Sequence, residues 1–255
     1  MVAFLVLAAA LAPAPTWKAL APGVEYATAG EGPLHLVRID PRRAQLEAVM
    51  ASAGDGKPRA AAEWCRLRRL AVAINLGMYR TDKRTNVGHA HAPGHVNNGA
   101  WNDKYNSVLA FGPTRPGLAP AVFVDLDAPG ARQTLAGYGT VVQNLRLIKA
   151  PGTSVWAAQE RRWSEAAVAF DRGGHVIFAF CRRAYTMRDF NERLLALPLG
   201  ITAAMHVEGG PEASLSIHAG GVDLDLLGSY ESGFNENDAE RTQWEIPNVL
   251  GVRKR

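Results

Sequence analysis

Cysteine is nearly absent. Cys65 and Cys181 are the only two in 255 residues, and their separation excludes a CxxC metal or redox pattern. An oxidising compartment would allow a disulfide between them, and two buried thiols fit equally well. The chain also lacks GxxxxGK(S/T), a GxGxxG following a strand, HExxH and GxSxG, which removes the usual signatures of nucleotide hydrolysis, dinucleotide binding, zincin proteolysis and α/β-hydrolase chemistry. Apart from the N-terminus, long apolar runs are missing, so no membrane span is expected. Lys and Arg are missing from His206 to Glu240. With a net charge of only +4 and dispersed basic residues, nucleic acid is not an expected partner. Internal repeats and low-complexity linkers are also lacking.

What remains is an ordinary globular composition, 47% apolar and 20% charged, in a length that can bury a real core. Residues 1–15 read as a signal peptide or an apolar N-terminal segment. Met1–Leu11 is too short to span a bilayer and is followed by Pro13 and Pro15, and small residues at Ala8, Ala10 and Ala12 suit a cleavage site. No Lys or Arg precedes this stretch, as a complete leader would require. The expected location is secreted or periplasmic, otherwise cytoplasmic. Residues 16–255 read as one domain.

Leu34–Ile39 alternates with period two and predicts a half-buried strand, and Gln45–Ala51 repeats the pattern after Pro41. Ala60–Leu70 predicts a helix with Ala61, Cys65 and Leu67 on its buried face, followed by a buried strand Leu70–Ile74 that ends at Asn75-Leu76-Gly77. Residues 80–105 lack periodicity and are rich in Asn, Gly, His and Asp, so a long functional or disordered loop is expected. Further strands are expected at Ser107–Phe111 and Ala121–Asp125. Ala166–Phe170 and His175–Phe180 flank a turn and predict a hairpin. Thr186-Met187-Arg188-Asp189 resembles a capping box opening a helix with Met187, Phe190, Leu194 and Leu197 near one face. Ala203–Val207 predicts a buried strand. The irregular order of strands and helices points to an α+β fold, a mixed sheet core with a few flanking helices.

Two segments carry chemistry. Gly88–His95 gathers His89, His91 and His95, three of seven histidines. Neutral imidazoles can ligate a transition metal, but the loop supplies no carboxylate, so hydrogen bonding to an anionic substrate is the preferred role and no metal or other cofactor is expected. The second is Ala203–Leu215, where a strand delivers Glu208 at its C-terminal end, Gly209 and Gly210 bring backbone close to a ligand, and Glu212 adds another carboxylate.

The run Ala73-Ile74-Asn75-Leu76-Gly77-Met78-Tyr79 is similar to the (A/M)-N-(A/G)-G-(M/F)-(F/Y) element of the phosphodiester glycosidase family. Met205-His206-Val207-Glu208-Gly209-Gly210 resembles its second signature, N-L-D-G-G or Y-L-D-G. Val141–Ile148, with Gln143 and Asn144, resembles its Q-x-G-P-x-L-(I/V) strand. Ala166–Phe178 and Tyr185–Leu199 resemble its hairpin and pre-signature helix, in matching order from about residue 34 onward. The departures are Glu208 where most members carry Asp, Leu76 for a small residue, Pro211 for Gly or Ser, and Glu165 where many relatives place Arg, with Arg161 and Arg162 just upstream.

The resemblance implies hydrolysis of a sugar 1-phosphodiester, with a carbohydrate or glycosyl phosphate as partner. Such a reaction needs a carboxylate at the anomeric carbon and positive charge or N–H groups at the departing phosphate. Glu208 and Glu212 suit the first need, with Asn75 orienting a sugar hydroxyl or a carboxylate. Arg80, His89 and the Gly209 and Gly210 amides suit the second, and Gly77, Tyr79, Gln143 and Asn144 complete the expected substrate contacts. Two alternatives stand beside it: a glycan or sugar-phosphate binding module without turnover, favoured by the departures, and a metal-dependent hydrolase built on His89, His91 and His95. Asn75 and Glu208 are expected at strand ends opening onto one pocket. Residues 80–106 are expected to cover it as a lid anchored by Trp101 and Tyr105.

Overall fold

The computed structural model describes residues 13–30 and 33–254; the apolar segment Met1–Leu11 lies outside them. Two sheets form the frame. The larger runs in the order β1 (Lys18–Ala21), β2 (Val24–Ala29), β3 (Leu34–Ile39), β13 (Val176–Tyr185), β12 (Trp163–Asp171), β14 (Ile201–Gly209) and β10 (Tyr138–Lys149). Strand β10 extends it to β6 (Ala90–Ala92) and β7 (His95–Asn98), and also pairs with β8 (Ser107–Pro113) and β11 (Thr153–Ser154), while β9 (Ala121–Asp125) pairs with β8. The smaller sheet runs β16 (Val222–Leu227), β15 (Ser214–Ala219), β5 (Leu70–Asn75), β17 (Asn248–Arg253) and β4 (Leu46–Met50). Among the described residues every strand pairing is antiparallel. The domain is therefore sheet-dominated, with two antiparallel sheets in place of the single mixed sheet expected.

The facing sides of the sheets make the central core. Val37, Val168, Phe178, Phe180, Met205 and Val207 meet Val72, Ile74, Leu215, Ile217 and Leu250; each such side chain removed from water contributes about 1.5–3 kcal/mol. Helix α3 (Met187–Ala196) covers the outer face of the larger sheet through Phe190 and Leu194, over Leu36, Ile177, Ala179 and Ala204. Its start is as read from sequence, with the Thr186 hydroxyl accepting from the Asp189 N–H at 3.0 Å. Helix α1 (Ala61–Arg68) covers the smaller sheet with Trp64 and Cys65. Leu67, expected on that buried face, is 46% exposed, because Trp64, whose indole N–H donates to the Ile246 carbonyl at 2.9 Å, sets the helix rotation. The short α2 (Ala131–Leu135) packs under β8 and β10. Cys65 and Cys181 belong to cores on opposite outer faces, and no disulfide joins them. Among the described residues no helix is long and apolar enough to cross a membrane.

Residues 80–105 are more ordered than their composition suggested. Arg80 N–H donates to the Thr85 carbonyl at 2.8 Å, closing a turn, and β6 and β7 form a hairpin. The aperiodic sequence hides this hairpin because its residues pair at the sheet margin, where no apolar alternation is demanded.

Candidate active site

The chain crosses from one sheet to the other between β14 and β15, through the 3-10 turn Gly210–Glu212. Two features shape this crossing. The first is a register slip: Ala166 pairs with Glu208 and Ala167 with His206, so Val207 is an extra residue and the strand bulges. Strict alternation would place Glu208 on the face of His206 and Ala204, toward α3. The bulge instead turns it to the face shared by Ala166 and Val207, between the sheets, which is the re-aiming that bulges accomplish. The second is Asn75 at the end of β5. Its amide Nδ2 donates to the Glu212 carbonyl at 3.0 Å, and its Oδ1 accepts from Ser214 N–H at 2.8 Å. Asn75 and Glu208 thus both stand at strand ends beside the crossing turn, although neither lines the adjoining cleft of Tyr79, Lys83 and Glu212. Asn75 spends its amide on the turn that carries Glu212, so it orients that residue through the backbone.

Glu208 is 8% exposed. Burial drives its carboxyl well above the ordinary glutamate value, Glu212 and Glu231 push the same way, and only the Gly209 N–H, donating to Oε1 at 3.1 Å, opposes them. Glu212 is also shifted upward by burial and by Glu231, but Lys83 and a hydrogen bond from the Tyr79 hydroxyl favour its charged form. Tyr79 is raised by burial and by both glutamates. Tyr105 is pushed up to about 12 by burial and Glu208. Beside this cluster a cleft of about 460 Å³ is lined by Tyr79, Arg80, Thr81, Lys83, Glu212, Trp244 and Glu245. Lys83 adopts φ +50°, a conformation uncommon for lysine, in a turn fixed by Asp82, which accepts from the Arg84 and Thr85 N–H groups at 2.9 Å each and from the Thr85 hydroxyl at 2.6 Å.

The remaining expected contacts divide. Gly210, at φ +61°, leaves room for Glu231: a Cβ there would meet its Oε2 at 2.5 Å. The Gly209 N–H is already given to Glu208. Gln143 does not face a ligand with its amide. Its Oε1 accepts from the N–H groups of His89 and Asn102 at 3.0 and 2.9 Å, and its Nε2 donates to the carbonyls of Asn102 and Tyr105. It braces the 89–105 segment, correcting the expectation of substrate contact. Asn144 donates to the Leu76 carbonyl at 2.9 Å and lies against Gly77, where a Cβ would collide with Asn144 Oδ1 and come within 2.9 Å of Asn86 Nδ2. Both asparagines are buried, so Gly77→Ala is expected to destabilise by about 1–3 kcal/mol through overpacking, read as a lowered urea midpoint with an unchanged slope; an unaltered midpoint would show that the asparagines yield freely.

The histidine loop does not join the carboxylates. His89 stacks on Trp101 at 4.2 Å between centroids, with the Arg132 guanidinium 3.4 Å from the centroid of that indole, and Trp101 packs on the α2 side of the sheet. His89 Nε2 lies 2.8 Å from His91 Nδ1, and burial lowers the pKa of both rings. His95 is engaged elsewhere, with Nε2 2.8 Å from Ser52 Oγ. Among the described residues no group of three or more His, Cys, Asp or Glu side chains is placed to hold a metal ion. The trio of the metal-dependent alternative is thus not assembled: His89 and His91 pair with each other, while His95 turns to Ser52. Of the lid anchors, only Tyr105 reaches the acidic cluster.

Sequence reasoning missed Lys83, Glu231 and Trp244. Lys83 follows the Tyr79-Arg80 pair closely enough to have been suspected. Glu231 and Trp244 sit in irregular chain with no local pattern to mark them. The buried pair Glu165 and His206, with Oε1 and Nδ1 2.6 Å apart and Glu165 Oε2 accepting from Trp163 Nε1 at 2.7 Å, occupies the opposite face of the bulged strand.

No curated protein matches the chain. Among solved structures it is similar to the catalytic domain of zebrafish N-acetylglucosamine-1-phosphodiester alpha-N-acetylglucosaminidase, auto-inhibited by its pro-peptide, with a TM-score of 0.64 and 14% identity over 95% of this chain and 84% of that one. A hypothetical protein from Synechocystis matches with a TM-score of 0.62 and 16% identity over 94% and 64% of the respective chains. At such identities the likeness concerns the fold. The sequence profile of the phosphodiester glycosidase family matches residues 68–253, a span that begins at the last residue of α1 and takes in Asn75, the basic turn, the bulged strand and the crossing turn. On that match the chain belongs to the phosphodiester glycosidase family.

Proposed function

We propose that the chain hydrolyses a glycosyl phosphodiester, with water cleaving the anomeric C–O bond to give a free sugar and a phosphomonoester, and that Glu208 and Glu212 are the reacting carboxyl groups. Family membership supports a phosphodiester glycosidase type of hydrolase. The observation that carries the residue assignment is the unequal bias of two neighbouring glutamates. Burial and the carboxylates around it push the Glu208 carboxyl well above the ordinary glutamate value, which suits a proton donor to the leaving oxygen. Glu212 is also raised by burial, but Lys83 and Tyr79 work against that rise, so of the two it suits the carboxylate facing the anomeric carbon. Environments that separate two carboxyl pKa values are how one site holds both acid and base. Arg80 and Lys83 line the same cleft and would neutralise the phosphate as charge collects on it.

The binding-module reading keeps one observation in its favour: the Gly209 N–H, expected to meet the phosphate, donates instead to the carboxyl of Glu208, which stands where the family carries Asp. A panel of nucleotide sugars and glycosyl phosphodiesters separates the two. Release of reducing sugar by the wild type, lost in Glu208→Gln, is the expected result. Binding without release across the panel would replace the hydrolase with a binder. Lys83→Ala is expected to raise KM about tenfold, the equivalent of about 1.4 kcal/mol. It should also move the acidic limb of the pH profile upward, because Lys83 lowers the Glu212 pKa. An unmoved limb would detach Lys83 from Glu212.

A further inference from the structure

The cleft continues past the basic turn onto an aromatic wall that the hydrolysis of a bare phosphodiester does not require. Trp244 lines the cleft together with Arg80 and Lys83. Its indole N–H donates to Glu240 Oε2 at 3.0 Å, and the Phe234 ring stands edge-on to it, centroids 6.2 Å apart at 77°. Phe234 is 61% exposed. The exposed phenylalanine and the half-buried tryptophan leave aromatic surface open beside the cleft.

The wall is also rigidly mounted. On one side of Trp244, Gln243 accepts from Ala62 N–H at 3.1 Å and donates to the Leu226 carbonyl at 2.9 Å and to Ser216 Oγ at 3.0 Å. On the other, Ile246 is fully buried, exchanges backbone hydrogen bonds with Arg59, and accepts from the Trp64 indole at 2.9 Å. An aromatic ring fixed at both flanks, one edge hydrogen-bonded, is a preformed stacking surface that loses little entropy when a ligand ring settles on it.

We infer that Trp244, supported by Phe234, is the leaving-group subsite, selecting phosphodiesters whose phosphate carries a ring, a nucleoside or a sugar, that lies against the indole while the phosphate sits at Arg80 and Lys83. The inference rests on the proposed hydrolysis for the direction in which substrate lies, and the basic turn and the tryptophan ring lining one cleft carry it. Stacking on an aromatic face is tolerant of ring identity, so the subsite sets a class of leaving group and not one compound.

The test compares three substrates sharing one glycosyl group: a glycosyl methyl phosphate, a glycosyl phosphate joined to a second sugar, and a nucleoside diphosphate sugar. Trp244→Ala is expected to lower kcat/KM for the ring-bearing substrates about tenfold to a hundredfold and to change the methyl phosphate less than about threefold, with Trp244→Phe restoring most of the loss. Which ring-bearing substrate suffers more identifies the natural leaving group. Equal losses on all three, or none, would overturn the subsite while leaving the hydrolysis reading intact. Should the wild type turn over none of them, hydrolysis falls, and calorimetric binding of uridine 5′-monophosphate, glucose 6-phosphate and methyl phosphate decides the subsite alone. A preference for the two ring-bearing phosphates that disappears in Trp244→Ala supports it, and equal affinities refute it.

Discussion

Glu208→Gln is expected to lose activity by a factor of about a hundred to ten thousand, the usual contribution of a positioned proton donor, while melting no lower than the wild type at pH 8. The second half of this expectation follows from linkage. The folded-state pKa of Glu208 is raised above its unfolded value, so between those two values the native state binds more protons than the unfolded chain. Stability contributed at this position is therefore fully present below the unfolded glutamate value, about 4.3, and is lost as pH rises through the folded value. Glutamine keeps the volume and has no charge to desolvate, so the variant gains stability relative to wild type in the upper part of that window, and the gain disappears near about pH 4. A residue retained at a cost in stability is what a reacting group looks like. Wild-type turnover in the variant would remove Glu208 from the chemistry. A variant that melts lower at pH 8 would mean that the charged form is what the fold holds, reversing the roles proposed for the two glutamates.

Much of the frame was legible because local patterns report local burial. The strands at Leu34, Gln45, Leu70 and Ala203, the hairpin about Asp171–Gly174 and the Thr186 cap follow from alternation, turn residues and capping chemistry, each satisfied within a few residues. The pairing of those strands into two antiparallel sheets was not legible, since β5 lies between β15 and β17, partners some 140 to 180 positions away, and no local pattern encodes that order. Leu67 was placed inward by periodicity alone, and the Trp64 contact overrode it. At the site, Glu208 and Glu212 could be named from the strand-glycine pattern, but the bulge that turns Glu208 between the sheets comes from pairing with Ala166 and Ala167 and has no signature in β14. His89 and Gln143 carry the right functional groups, and tertiary packing spends them elsewhere, on Trp101 and on the 89–105 backbone. Polar side chains advertise chemistry whether they serve a ligand or satisfy buried backbone, and only the hydrogen-bond partners distinguish the two uses.

Asn75 shows how the second use serves the first. Asn75→Ala leaves the buried Ser214 N–H without its partner, while the Glu212 carbonyl keeps the Ser214 hydroxyl as a donor at 3.2 Å, so a loss of about 1–3 kcal/mol in unfolding free energy is expected for the one unpaired group. Freed from its clamp, the Gly210–Glu212 turn would let the Glu212 carboxylate drift, and a displacement near 1 Å can cost about a hundredfold in rate. These two losses have different origins, and a double-mutant cycle separates them. In a Glu212→Gln background the rate has already lost what Glu212 supplies, so adding Asn75→Ala should cost little further activity and nearly the full stability penalty. Unfolding midpoints and kcat for the four proteins give both couplings from one set of samples. Strong non-additivity in rate with additivity in stability places Asn75 as a positioning residue acting through Glu212. Additive rate losses would mean that the Asn75 side chain leaves the turn and meets the substrate itself, in which case its two backbone hydrogen bonds could not both persist in the bound state.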